Sequence, residues 1–82
     1  MKLQKNDLSL NLEKIHITEL GTMRIRKNLD LETDDLANWC IHKIKQADNT
    51  VQKGKNWYVY VGNSVFTINA HSYTIITAHK IK

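Results

Sequence analysis

Apolar and polar positions alternate most clearly in the last third of the chain, Gly54 to Lys80. Asn56 to Val61 is rich in aromatic and β-branched residues, which suit a pleated, half-buried surface. Gly62-Asn63 is a two-residue turn signal of the primed kind. Ser64 to Ala70 then returns, His71-Ser72 turns again, and Tyr73 to Lys80 makes a third strand. A turn at Gly62-Asn63 pairs Val61 with Ser64, Val59 with Phe66 and Trp57 with Ile68. The second turn pairs Ala70 with Tyr73 and Ile68 with Ile75. One face then gathers Trp57, Val59, Val61, Phe66, Ile68, Ala70, Tyr73 and Ile75 and reads as a core face. The other gathers Tyr58, Tyr60, Val65, Thr67, Asn69, Thr74, Ile76, Ala78 and Lys80. It is too polar for a core, yet unusually aromatic for a bare surface.

Upstream the spacing turns helical. Leu12, Ile15, Leu20 and Met23 predict a helix over about 10–28. Asp7 or Ser9 can cap its start, and Thr18-Glu19 offers a second cap that would break it in two. Gly21 weakens its middle by about 1 kcal/mol relative to Ala. A second helix over about 33–47 has Thr33 as N-cap, Asp34 and Asp35 in its first turn, and Leu36, Cys40 and Ile44 on one stripe. Asp48-Asn49 ends it. The linker Asp30-Leu31-Glu32 is short enough to fold the two helices into an antiparallel hairpin. The expected fold is therefore α+β: an N-terminal helical hairpin packed on one face of a three-stranded antiparallel β-meander. Trp39 falls at the helix–sheet boundary. The first and third strands are edges, which leaves room for a homodimer by edge pairing.

Length and composition narrow the setting. Eighty-two residues make one domain, 1–82. No stretch approaches the roughly 18 apolar residues of a membrane span. A single cysteine and no apolar leader point to the cytoplasm. The net charge of +4 permits an anionic partner without demanding one.

Candidate chemistry is sparse. His71 lies in a turn and His79 near the end of the last strand. With Lys80, and with Lys55 and Arg24 to hold a phosphate, they are the groups a metal-independent ribonuclease would use. Surface histidines at strand ends are the commoner reason for such positions. Cys40 and His42 are two apart on a helix and point in different directions, and no CxxC or HxxxH spacing occurs, so neither a metal nor another cofactor is expected. Gly54-Lys55 lacks the strand and helix that a phosphate loop requires. Asp34 and Asp35 at the start of the second helix would repel DNA phosphates, against a helix-turn-helix reading. The basic residues Arg24, Lys27, Lys53 and Lys55, with Tyr58 and Tyr60 on the open face, are the ingredients of a base-stacking or protein-binding surface. Asn69, Ile76 and Lys80 share that predicted face.

Gly54-Lys55-Asn56-Trp57-Tyr58, Thr67-Ile68-Asn69 and Ile75-Ile76-Thr77-Ala78 resemble the G-K-N-Y-Y, T-I-N and I-I-T-A blocks of an uncharacterised family of small bacterial proteins. Thr18-Glu19-Leu20 and Arg24 to Leu29 are similar to that family's upstream blocks. The resemblance covers about Ile15 to Lys80. It departs at His79, where the family often has an acidic residue, and it implies a fold without an activity. The order of helices before sheet is also loosely similar to compact bacterial ribonuclease toxins. Together these readings lead to the expectation of a small non-catalytic binding or regulatory protein, of the kind phages and mobile elements carry. Its open sheet face and basic residues would meet a nucleic acid, a nucleoprotein or an acidic protein. A metal-independent ribonuclease-like toxin is the alternative.

Overall fold

The computed structural model describes residues 11–81. Two helices lie on one side of a five-stranded mixed sheet of order β1-β5-β4-β3-β2. The strands are β1 (His16–Ile17), β2 (Asn49–Lys53), β3 (Asn56–Val61), β4 (Ser64–Asn69) and β5 (Thr74–Lys80); the helices are α1 (Glu19–Leu29) and α2 (Leu36–Lys45).

The β3–β4 register obeys the alternation: Val61 pairs with Ser64, Val59 with Phe66 and Trp57 with Ile68. Gly62 takes φ 56, the positive value that a primed turn with glycine first demands. Ile68 pairs with Ile75 as expected, but Thr67 then pairs with Thr77, so Ile76 is the extra residue of a β-bulge. The bulge reverses the facing of every later residue in β5. Ala78 faces Phe66 and is fully buried in the core, and Lys80 is opposite Ser64 on the helix side. Both leave the open face on which alternation had placed them; Thr77 and His79 take their places. The predicted Ala70–Tyr73 pair does not form. Ala70 N–H donates instead to the Lys55 carbonyl at 2.7 Å, and residues 70–73 form the loop.

Two strands escaped the sequence pattern. The residues expected to begin a long first helix fold as a 3₁₀ turn, Leu12–Lys14, followed by β1. The Asp7 and Ser9 caps and the Leu10 start fall outside the described residues. Thr18 is the true start of α1: its Oγ1 accepts the Gly21 N–H at 3.1 Å. Likewise α2 is capped by Asp35, not Thr33; its carboxylate accepts the Asn38 N–H at 3.3 Å and the Asn38 side-chain amide at 2.9 Å. The Thr33 carbonyl receives the Arg26 guanidinium instead. Asn49–Lys53, which the sequence pattern assigns to neither helix nor strand, pairs antiparallel with β3. The predicted edges, β3 and β5, are therefore flanked by β2 and β1.

The helices are held by the sheet more than by each other: α1 packs mainly on β5 and α2 on β3. Their buried stripes, Gly21–Ile25–Leu29 and Leu36–Cys40–Ile44, join Trp57, Val59, Phe66, Ile68 and Ile75 in one core. Gly21 lets α1 approach closely, since a Cβ there would stand 3.0 Å from the Ile75 carbonyl oxygen. Beyond the two residues of β1, the Asn28 amide donates to the Ala78 carbonyl at 3.1 Å and so covers the next stretch of β5 edge. Tyr73 holds φ 60, a conformation that costs a bulky residue about 1–3 kcal/mol. Its ring sits edge-on to Trp57 at 5.2 Å and its hydroxyl accepts from Asn11, contacts that keep it there.

Candidate functional site

The open face of the sheet is built from the alternate residues of β2 to β5. The expected meander places Tyr58 and Tyr60 there, and β2 extends the surface by setting Val51 beside Tyr58 and Asn49 beside Tyr60. Tyr60 and Val51 are 38% and 40% exposed, whereas Val65 and Thr67 on the central β4 are buried. Lys53, next to Asn56, and Lys55, in the β2–β3 turn, lie at one end of this face and are exposed. No carboxylate occurs on any of these strands. All eight Asp and Glu lie in residues 1–48, where eight Lys and Arg balance them. The four remaining lysines, at 53, 55, 80 and 82, carry the whole net charge of +4. A phosphate approaching the sheet thus meets lysines and phenol rings without a fixed negative charge among the strand residues.

At the lysine-bearing end, Lys55, Asn69 and His71 come together around an open hollow of about 600 Å³. Asn69 builds its rim. Its Oδ1 accepts the His71 N–H at 2.8 Å, the Ser72 N–H at 2.9 Å and the Ser72 hydroxyl at 3.2 Å, an Asn-centred turn that shapes the loop. The Asn69 Oδ1 is thus committed to architecture. Ile76 is half-buried in the bulge. Arg24 and Lys27 are exposed on α1, in the helical layer, and do not join the lysines of the sheet end.

The ribonuclease candidates are spread along the sheet. Val65, the partner of His79, and Asn69, next in hydrogen bonding to His71, are four residues apart on β4. That is roughly 13 Å of strand, so the two histidines are placed towards opposite ends of β4. Lys80 alternates to the face opposite His79.

A different histidine acquires partners that no sequence pattern announced. His16 Nε2 lies 2.8 Å from Thr74 Oγ1, which lies 2.8 Å from Ser72 Oγ. His16 Nδ1 is 3.1 Å from the Lys14 carbonyl, which can only accept. Nδ1 therefore carries a proton, and in the neutral ring Nε2 accepts from the Thr74 hydroxyl. An oriented imidazole against a hydroxyl is the arrangement that activates a nucleophile. Here the pair is exposed, and the neighbouring N–H groups of His71 and Ser72 already serve Asn69, so that loop offers no oxyanion donors. The contact depends on the parallel pairing of β1 with β5, His16 with Thr74, which is why it was invisible in the sequence.

Residues 9–79 match DUF3781, described as a protein of unknown function. The chain belongs to this family. Neither a curated protein nor a solved structure matches it. The family match spans both helices and nearly all of the sheet, so it covers the open face and the loop that frames the hollow. Among the described residues, no helix is long and apolar enough to cross a membrane.

Proposed function

We propose that the protein is a small non-catalytic binding protein that engages single-stranded nucleic acid across the open face of its sheet. The carrying observation is the segregation of charge: the strands that present Tyr58 and Tyr60 contain no carboxylate, and Lys53 and Lys55 stand at one end of the same surface. Exposed aromatic rings on a sheet stack unpaired bases, and lysines beside them track the phosphates. His71 and His79 are bystanders to any chemistry in this reading. A cytoplasmic setting, and a place among accessory genes of phages or other mobile elements, accord with so compact a binder.

Fluorescence anisotropy with labelled single-stranded RNA and DNA tests the proposal. Neutralising two phosphates with Lys53 and Lys55 gives a log–log salt slope of roughly −1.4, at about −0.7 per contact. Tyr58→Ala and Tyr60→Ala should each weaken binding by about 1–3 kcal/mol. Binding that ignores salt, or that survives both tyrosine replacements, sinks the proposal. A salt-sensitive complex with an acidic protein or nucleoprotein, on the same residues but with no affinity for free single strands, would replace the partner and keep the surface.

A further inference from the structure

The helix side of the sheet holds a second, separate cavity. Between α2 and the β3–β4 turn opens a cleft of about 460 Å³, a size that suits small organic ligands. Leu31, Val61 and Phe66 supply apolar walls. Trp39 stands half-buried in it, its ring centroid 6.2 Å from that of Phe66. Two lysines line it from different elements. Lys43 comes from α2, its Nζ 5.6 Å from the centre of the Trp39 ring, and Lys80 comes from β5. Lys80 is there because of the bulge at Ile76; without that parity change it would face the other way. Asp48 is also in the lining, and its Oδ2 accepts the Gly62 N–H at 2.8 Å, which ties one carboxylate oxygen to the turn. The cationic side chains outnumber the anionic one by two to one.

We propose that this cleft binds a small planar organic anion. The flat ring lies against Trp39 between Leu31 and Val61, and the anionic group sits between Lys43 and Lys80. An aromatic wall favours a flat apolar body, and a cationic excess of one selects a single negative charge. The site is on the opposite side of the sheet from Tyr58 and Tyr60, so it stands or falls independently of nucleic-acid binding.

Three probes with one ring and three charges test it: indole-3-acetate, indole and tryptamine, titrated into the ¹⁵N-labelled full chain. Indole-3-acetate should shift the Trp39 side-chain N–H and the backbone N–H groups of Gly62, Asn63 and Ser64, with a dissociation constant of roughly 1 mM or below. Lys43→Gln and Lys80→Gln should each weaken it about three- to tenfold, and Lys80→Gln, which does not touch the Trp39 ring, should leave indole binding unchanged. Tryptamine should not bind. Equal shifts from tryptamine, shifts confined to Tyr58 and Tyr60, no loss in either lysine variant, or no binding by indole-3-acetate would each overturn the proposal.

Discussion

Replacing Gly21 by alanine sets two known effects against each other, and the geometry decides between them. In a free helix the change would stabilise by up to about 1 kcal/mol. Here the new Cβ would meet the Ile75 carbonyl oxygen at 3.0 Å, Thr18 Oγ1 at 3.3 Å and an Ile17 side-chain carbon at 3.4 Å. The first of these is backbone, in a strand hydrogen-bonded to β1 on one side and β4 on the other, so it cannot retreat. The second is the oxygen that caps α1. The helix must lift instead, loosening Ile25 from the core, and overpacking of this kind costs about 1–3 kcal/mol. The net expectation is a loss of about 1 kcal/mol, or about 4–8 °C in Tm for a domain of this size. Thermal and urea unfolding monitored by circular dichroism measure it. A Gly21→Ala protein as stable as wild type, or more so, would refute the close approach of α1 to β5.

Three more outcomes can be tested on the same structure. Burial pushes the Cys40 thiol up to about 12 from 9.0, so the unfolded chain ionises first and stability should fall as pH rises from about 9 to about 12. Cys40→Ala should show a shallower decline in that window by urea titration, and identical slopes would contradict it. Deleting Ile76 should leave a regular β4–β5 ladder with Ala78 still in the core, and cross-strand nuclear Overhauser contacts between Phe66 and Ala78 should persist; their loss would mean that the bulge sets the register. Finally, RNA incubated with the protein in EDTA should remain intact, and His71→Ala and His79→Ala should behave as wild type; cleavage abolished by either change would restore the ribonuclease reading.

The contrast between what the sequence revealed and what it hid has physical reasons. The β3–β4 pairing was legible because a glycine turn and strict alternation leave one register that buries Trp57, Val59, Phe66 and Ile68 together. The bulge was not, because Ile75-Ile76-Thr77-Ala78 presents adjacent apolar residues that fit either parity. β1 is two residues long and pairs parallel, from a segment whose apolar spacing also suits a helix. β2 is polar along most of its length and has its one large apolar residue, Val51, exposed, so it lacks a buried face to announce it. The candidate surface inherits these limits. Tyr58 and Tyr60 could be named from alternation alone. The position of Lys80 required the bulge, and the contacts of His16 required β1. The segregation of charge, by contrast, was open to simple counting: no Asp or Glu occurs after residue 48.

The pairing of β1 with β5 also bears on how the chain reaches its fold. His16 and Ile17 meet Thr74 and Ile75, and α1 rests on the same strand, so the first described elements find their support in the last one. Contacts between residues so far apart along the chain must close a large loop before they return any free energy, which slows folding. On the ribosome, α1 would emerge amphipathic and without a surface to lie on until β5 is made. A nascent chain arrested before Thr74 should therefore stay protease-sensitive through β1 and α1, and protection of these two elements should arrive in one step once β5 has cleared the exit tunnel.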